Sequence, residues 1–189
     1  MILKYLYLAI AVVTFGSYIY SVTGFFRPEK EVMTRDYQIL RLASVITWAL
    51  ALRAIYFFDL ELNGLFPLYV GIVCISLSLL FFWYTARHIG RHSFSIVFSK
   101  DTPKHHVSDG PYSYVRHPFY TGYILNYYSL ALCMFSVEAL VCAIVMNLIY
   151  YRAAKIEEDK FLSSVHKESY HLYQTKTGML IPRVDRLFS

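Results

Sequence analysis

The stretch Asp109-Gly110-Pro111-Tyr112-Ser113-Tyr114-Val115-Arg116-His117-Pro118-Phe119-Tyr120-Thr121-Gly122 decides how the chain folds, because a basic polar segment turns there into a long apolar run. Such a junction lies at a membrane surface, with one end in water and the other entering lipid. The Gly-Pro pair is a turn signal, and Pro118 can begin a helix because the first helical turn does not need the amide hydrogen that proline lacks. Arg116 and His117 are therefore predicted at a helix N-terminus, where free amide groups favour a carboxylate or phosphate.

The composition is that of a membrane protein. Of the 189 residues, 57% are hydrophobic and 16% are charged, whereas soluble domains contain about 45–50% apolar residues. No linker, repeat or low-complexity tract marks a second unit, so residues 1–189 are predicted to form a single domain. The net charge of +5 comes from Lys and Arg beside the apolar segments, which indicates membrane lipids rather than nucleic acid as partners.

Five apolar segments are predicted to cross the membrane as helices, since about 20 helical residues cross the hydrocarbon core. They cover residues 3–26, 39–58, 65–84, 119–135 and 137–152. The last two are predicted to form a hairpin, because Glu138 would be costly at the bilayer centre and is better placed at the far surface.

Two asparagines provide a check on this hairpin. Asn126 and Asn147 lie at matching distances on either side of its turn, hence at about the same depth in the membrane. Two amides at one depth can bond each other, and such a bond between helices is worth roughly 0.6–2 kcal/mol. A hydrogen bond between the two side chains is therefore predicted.

The distribution of Lys and Arg predicts the orientation. These residues are concentrated in the first loop at residues 27–38, between residues 85 and 116, and in the tail from Arg152 onward, whereas the turns at 59–65 and at Glu138 have none. Because Lys and Arg favour the cytoplasmic side, the N-terminus is expected outside and the C-terminus in the cytosol. The segment at residues 109–122, called the signature segment from here on, then shares the cytosolic face with the tail.

The tail has a helical pattern of its own. It is predicted to be an amphipathic cytosolic helix that continues from the fifth span. This helix is expected to lie on the membrane, to cover the signature segment, or to do both. The apolar residues at helical spacing that indicate this helix are Phe161, Leu162, Val165, Leu172 and Tyr173.

The pattern Gly-x-Tyr-x-x-x-Arg-His-Pro-x-Tyr-x-Gly, from Gly110 to Gly122, resembles the signature of integral membrane methyltransferases, namely the isoprenylcysteine carboxyl methyltransferases and the phospholipid N-methyltransferases. The resemblance extends to Glu157-Glu158, Tyr170, Tyr173 and Leu180-Ile181-Pro182, and covers roughly the C-terminal half of the chain. It implies an all-α integral membrane enzyme that uses S-adenosylmethionine and acts on an isoprenoid, prenylated or lipid-linked substrate.

The same resemblance implies the site residues. The cofactor would be held by Lys104, His105, His106, Val107, Tyr112, His117, Pro118, Phe119, Tyr120 and Glu158, and the residues expected to act on the substrate are Arg116, Arg152 and Glu157. A carboxylate suits the donor's ammonium, and ring and backbone groups suit its adenosine. Glu158 and His117 are expected at the wet ends of their helices, where burial is incomplete.

One position departs from the family pattern. The arginine that faces the substrate carboxylate in the prenylcysteine enzymes corresponds here to Ala154. Arg152 lies about 200° and Lys155 about 100° around the helix from that position. Unless one of them replaces it, a carboxylate substrate loses its counter-charge, and an amine, a thiol or another lipid acceptor is favoured.

Two other functions remain open on the sequence. Membrane sterol reductases share the Arg-His-Pro-x-Tyr-x-Gly segment, so hydride transfer from NADPH is an alternative, although those enzymes are usually much longer. A non-catalytic lipid-binding protein would keep the helices without needing His117 and Glu158 together. His88 and His92 would share a helix face, but no Glu or Asp completes a ligand set beside them, so no metal site is predicted.

Overall fold

The computed structural model describes residues 2–24, 35–57, 64–89 and 107–183. Within these ranges the regular elements are all helical, which confirms the all-α prediction there. The elements are α1 (Ile2–Gly24), α2 (Arg35–Tyr56), α3 (Phe66–Ile89), a 3₁₀ turn (Gly110–Ser113), α4 (Pro118–Met134), α5 (Val137–Leu162) and α6 (Lys167–Lys176).

Three of the helices are long and apolar enough to cross a membrane: residues Ile2–Ser21 of α1, all of α3 and all of α5. By contrast, α2 offers only the shorter apolar stretch Gln38–Leu50, and α4 has 17 residues. Length and composition thus support three crossings directly. Whether α2 and α4 also cross depends on the direction in which each helix runs.

Side-chain contacts show that α1 and α4 are antiparallel. Tyr7, near the start of α1, lies 3.4 Å from the hydroxyl of Ser129 near the end of α4. Ser21, near the end of α1, lies 3.1 Å from the hydroxyl of Tyr123, closer to the start of α4. The end of α1 therefore lies at the same end of the bundle as the start of α4.

The helix α3 is also antiparallel to α4, and small residues bring the two close together. Gly71 packs directly on Cys133, and a Cβ atom at Gly71 would lie 2.4 Å from the Cys133 Cβ. Ser78 donates a hydrogen bond of 2.7 Å to the carbonyl of Gly122, one turn into α4. Because α1 and α3 both oppose α4, they are parallel to each other.

The helix α2 returns the chain from the end of α1 to the start of α3. Leu40, early in α2, packs against the cluster that contains Tyr120, whereas Trp48 belongs to the cluster that contains Tyr7 at the opposite end. The hairpin partner α5 likewise runs back along α4. Five helices therefore traverse the same bundle in the described part of the chain.

The predicted α4–α5 hairpin is confirmed by its turn. Phe135 adopts a left-handed conformation (φ 48°) that ends α4, and Ser136 caps α5 by accepting a hydrogen bond from the amide of Ala139. The helix α5 passes the predicted end of the span at Arg152 and continues to Leu162, which agrees with the predicted helical continuation over residues 153–162. The intervening residues include Ala, Lys and Glu, which favour a helix, so nothing local stops it.

The predicted tail helix continues from α5 only as far as Leu162, and the expectation of one unbroken helix that also carries Leu172 and Tyr173 is wrong. Ser163 and Ser164 follow the end of α5, and serine hydroxyls compete with the helical backbone for hydrogen bonds. The Ser164 hydroxyl donates to the Phe161 carbonyl at 2.7 Å and accepts from the His166 amide at 3.1 Å. A turn forms at residues 163–166, and α6 begins at Lys167.

This break changes which apolar residues of the tail are covered. Val165 in the turn is 95% exposed and Leu172 on α6 is 56% exposed, whereas Tyr170 and Tyr173 are buried. The face of α6 that packs on the rest of the protein is thus the tyrosine face. The predicted apolar stripe is covered only in part, because Val165 belongs to no helix.

The predicted hydrogen bond between Asn126 and Asn147 is wrong. Asn147 donates instead to the hydroxyl of Tyr128 at 3.3 Å. Asn126 is fully buried, and its amide has no hydrogen-bond partner among the described residues. Equal depth does not make two side chains face each other, and here Asn126 lies on the buried face of α4 while Asn147 is only half-buried.

Replacement of Asn126 by leucine should therefore stabilise the protein. Asn126→Leu is expected to raise the free energy of unfolding by about 1–3 kcal/mol, because it removes a buried amide whose hydrogen bonds are not made. Asn147→Leu should lower it by roughly 0.6–2 kcal/mol, because it breaks the bond to Tyr128. Unfolding in detergent measures both, and the double variant should be additive within about 0.5 kcal/mol. A clear loss of stability in Asn126→Leu would contradict this account.

Candidate active site

The backbone of the signature segment is fixed against the end of the chain. The Arg116 amide donates to the carbonyl of Gly178 at 2.8 Å, and the His117 amide donates to Met179 at 3.1 Å. Glycine is needed at position 178, since a Cβ atom there would lie 1.9 Å from the carbonyl oxygen of Ile181. The residues after α6 therefore form a strap, defined here as Thr177–Leu180, along the signature segment.

The predicted helix start at Pro118 is confirmed, because α4 begins there with His117 immediately before it. The Thr121 hydroxyl donates to the carbonyl of Leu180 at 2.8 Å and contacts the His117 carbonyl at 3.2 Å. The first turn of α4 is thus tied to the strap. This contact sets the direction in which the Arg116 and His117 side chains leave the backbone.

The turn before this helix is closed by a glycine and by the end of α3. Gly110 has a positive φ of 54°, and a Cβ atom there would lie 2.4 Å from the ring of His88. His88 also pairs with Asp109, with 3.3 Å between Nε2 and Oδ2. His88 therefore packs on the signature segment. His92 lies outside the described residues.

Two consecutive glutamates of α5 meet the signature segment in an ionic cluster formed by Arg116, His117, Glu157 and Glu158. Arg116 Nε donates to Glu158 Oε1 at 2.7 Å, and His117 Nε2 lies 3.2 Å from the same oxygen. His117 Nδ1 lies 3.2 Å from Glu157 Oε2. Both ring nitrogens of His117 thus face carboxylate oxygens, an arrangement that favours the imidazolium form, which can donate from both nitrogens.

The environment of His117 favours this charged form. Burial by itself would lower the pKa of His117, but the hydrogen bonds and negative charges of Glu157 and Glu158 outweigh it, so the pKa is raised above 6.5. The cluster contains two cations and two carboxylates. Their charges cancel, which is the condition under which charges can be buried without an uncompensated ion.

The two glutamates have different surroundings. Glu158 accepts at both oxygens, since Gln174 Nε2 donates to Oε2 at 2.8 Å, and its side chain is only 2% exposed. Glu157 accepts from the hydroxyl of Tyr120 at 2.8 Å and from His117, and 26% of its side chain is exposed. Glu158 is thus enclosed, whereas Glu157 keeps a free edge.

Residues of α6 and the strap complete the enclosure of the ionic cluster. Two of them, Gln174 and Thr177, were not identified from the sequence. Arg116 donates to the carbonyl of Thr177 and, at 3.4 Å, to that of Gln174. The Tyr173 hydroxyl donates to the carbonyl of Tyr112 at 2.6 Å. Helical spacing could have pointed to Gln174, because it shares a face of α6 with the buried Tyr170 and Tyr173.

Aromatic rings fill the space between this cluster and the bundle interior. The Tyr120 ring is stacked on His117, with centroids 5.4 Å apart, and on Tyr150 at 5.3 Å. Phe119 packs edge-on against Phe82 of α3 at 5.5 Å. The ionic cluster therefore has a rigid aromatic base.

Most of the predicted site residues come together. The residues in or directly beside the ionic cluster are Arg116, His117, Pro118, Phe119, Tyr120, Glu157 and Glu158. Tyr112 and Val107 are half-buried in the loop before α4, and Lys104, His105 and His106 lie outside the described residues. The cofactor and substrate roles assigned to all of these residues remain predictions.

Arg152, another predicted site residue, differs from these residues in its exposure. It is exposed, as is Lys155, whereas Ala153 and Ala154 are fully buried on the face of α5 that leads to Glu158. The register shift that could have brought a cation to this face has not occurred. The position equivalent to the family's arginine is therefore occupied by an apolar side chain.

The comparisons with known proteins cover most of the segments that form this site. Residues 66–169 match the family model of the phospholipid methyltransferases, which is more than half of the chain. The chain belongs to the phospholipid methyltransferase family. This confirms the resemblance to integral membrane methyltransferases, and together with the three long apolar helices it indicates an integral membrane protein. The matched range contains α3, the signature segment and both glutamates, but not α1 or α2.

One curated relative is the methanethiol S-methyltransferase of Crocosphaera subtropica (strain ATCC 51142 / BH68), which is 34% identical over 85 residues. The match covers 45% of this chain and 32% of the relative. The chain thus matches about a third of the length of that protein. The family and the relative that this chain resembles are both named as methyltransferases.

The burial of Glu158 and His117 overturns the expectation that both lie at incompletely buried helix ends. Their side chains are 2% and 7% exposed, because α6 and the strap cover them. Glu158→Gln should lower the free energy of unfolding by about 3–5 kcal/mol, since Arg116 and His117 would stay buried without their counter-charge. Asp159→Asn, on the exposed neighbour, should change it by less than about 0.5 kcal/mol. Equal thermal melts for the two variants would contradict the buried cluster.

The charge of His117 predicts a pH dependence. A raised pKa in the folded state stabilises the fold fully below the ordinary value of 6.5, and this contribution is lost as the pH rises through the raised value. The difference in melting temperature between the unmodified protein and His117→Gln should therefore be largest near pH 6 and shrink toward about pH 9. A difference that grows over this range would mean that His117 is neutral in the folded protein.

Proposed function

We propose that this protein is an S-adenosylmethionine-dependent methyltransferase for a neutral thiol or amine on an apolar, isoprenoid or lipid-linked acceptor at the membrane surface. The observation that carries the proposal is the pair of neighbouring carboxylates bridged by His117. One of them, Glu158, is enclosed by the tail, and the other, Glu157, keeps a free edge. A two-substrate reaction can use one carboxylate for each substrate.

The chemistry of Glu158 fits the amino end of this methyl donor. Among the described residues, its Oε2 atom accepts a hydrogen bond only from the neutral amide of Gln174. An ammonium group in place of that amide would form a charge-assisted bond, which is roughly twice as strong. The donor's ammonium would therefore replace Gln174 at Glu158, while Tyr112, Phe119 and Tyr120 offer ring surface to its adenosine.

The residues of the cluster would act by positioning. S-adenosylmethionine, when bound, supplies a methyl group already activated by a sulfonium, so holding the reactants in line and excluding water account for most of the catalysis. Arg116 fixes the Glu158 carboxylate and the strap. His117 holds Glu157 and Glu158 side by side by balancing their charges, and Tyr120 fixes the direction of Glu157.

The face of α5 favours a neutral acceptor. Ala154 occupies the position where a cation would meet a substrate carboxylate, and Arg152 and Lys155 are exposed away from it. A carboxylate acceptor would therefore remain without a counter-charge there. The name of the relative gives a thiol as its substrate, which agrees with an uncharged nucleophile, and the name of the family gives a phospholipid.

Donor binding can be tested without altering the protein. S-adenosylmethionine should bind the detergent-purified protein in calorimetry, and an analogue without the amino group should bind about ten- to a hundredfold more weakly, because a charge-assisted hydrogen bond contributes about 1.5–3 kcal/mol. Equal affinities would place the ammonium elsewhere. Binding of NADPH in place of S-adenosylmethionine would instead favour a reductase.

We further propose that all five long helices cross the membrane as a single domain, with the N-terminus outside and the C-terminus cytosolic. The support comes from the directions of the helices. The ionic cluster ties the start of α4 to the end of α5, so α4 must cross if α5 does, even though 17 residues span only about 25 Å at 1.5 Å per residue. Since α1 and α3 are parallel, α2 must return the chain.

Cysteine labelling tests this arrangement. In a variant with Cys74, Cys133 and Cys142 replaced by alanine, a cysteine at Leu65 should react with an impermeant reagent from outside, and a cysteine at Lys176 only from the cytosolic side. The reason is that Lys and Arg flank the cytosolic ends. Labelling of both positions from the same side would rule out five crossings.

A further inference from the structure

The neutrality of the proposed acceptor creates a requirement that methyl transfer alone does not meet. A thiol reacts as the thiolate, so a thiol acceptor must lose its proton as its sulfur is methylated. An amine, by contrast, attacks with its lone pair while it still carries its hydrogens. A site for a neutral thiol therefore needs a proton acceptor beside the reacting sulfur.

Among the described residues around His117, one side chain is a candidate proton acceptor. Both ring nitrogens of His117 face carboxylate oxygens at 3.2 Å, and the guanidinium of Arg116 has donors but no acceptor, so neither side chain is open to a proton from the substrate. Glu158 accepts three hydrogen bonds, from Arg116, His117 and Gln174, and is 2% exposed. From the described residues Glu157 accepts two hydrogen bonds, and 26% of its side chain is exposed.

The geometry of Glu157 suits proton transfer. Its Oε1 accepts from the Tyr120 hydroxyl at 2.8 Å, and its Oε2 lies 3.2 Å from His117 Nδ1. Each carboxylate oxygen has two lone pairs, so each keeps one free for a further donor. The two contacts hold the carboxylate plane still while its exposed edge remains open to an S–H group.

We propose that Glu157 is the catalytic base that removes the proton from a thiol acceptor, an inference that rests on the proposed methyltransferase function. The acceptor sulfur forms a bond to the methyl carbon as the bond from that carbon to the donor's sulfonium breaks. The electron pair of the broken bond remains on the donor sulfur, which becomes a neutral thioether. The S–H proton passes to Glu157 and from its exposed edge to water.

The test compares two thiols at one pH near neutrality, so that His117 does not titrate between measurements. An alkyl thiol is largely protonated there and needs a base, whereas an electron-poor aryl thiol is largely ionised and does not. Glu157→Gln should reduce turnover of the alkyl thiol by about 10²- to 10⁴-fold, the usual contribution of a general base. Turnover of the aryl thiol should fall less than about tenfold.

Further variants separate a base from a positioning residue. Glu157→Asp keeps the carboxylate and should preserve the ratio of the two turnover rates seen in the unmodified protein. Asp159→Asn is the matched control on the exposed neighbour and should leave both rates unchanged. Calorimetry without turnover should show that Glu157→Gln binds S-adenosylmethionine within about threefold of the unmodified protein, a difference below about 0.7 kcal/mol.

Equal loss of both rates in Glu157→Gln, with donor affinity retained, would overturn the assignment and leave Glu157 as a positioning residue. Methylation of an amine but of neither thiol would also overturn it. The proposed function fails in a different way. In that case the unmodified protein neither binds S-adenosylmethionine nor methylates any of these acceptors.

Discussion

The buried ion pair between Arg116 and Glu158 is the constraint on which the rest of the structure depends. Its 2.7 Å contact joins the residues before α4 to the last turns of α5, and the same guanidinium reaches the strap at Thr177. Removal of one partner would leave the other buried without a counter-charge, a cost of about 3–5 kcal/mol. The length of α5 follows from this, because the helix must extend past the apolar segment to deliver Glu158.

Much of this architecture could be predicted from the sequence, because its causes are local. Pro118 begins α4, the turn before Glu138 forms the hairpin, and long apolar runs become helices. The family resemblance also named the residues of the ionic cluster as site residues before the structure showed their contacts. These features depend on residue types and spacing within a few turns.

The predictions that were wrong concern side-chain partners and burial, which depend on packing between segments that are distant in the sequence. Asn126 and Asn147 were expected to bond because they lie at matching distances from the hairpin turn, but this spacing does not fix the direction of a side chain around its helix, and Asn147 meets Tyr128 instead. Glu158 lies near a helix end and was expected to be wet. Its burial comes from Gln174 and the strap, which the helical periodicity of α5 alone cannot place.

In the proposed function the tail is part of the donor site. Gln174 there holds the position that the donor's ammonium would take. The most direct measurement is an experimental structure of the protein with S-adenosylhomocysteine bound. The account predicts an ammonium nitrogen about 2.7–2.9 Å from Glu158 Oε2, with the Gln174 amide displaced and Arg116 still paired to Oε1. A nucleoside bound away from Tyr112 to Tyr120, with Gln174 still bonded to Glu158, would contradict it.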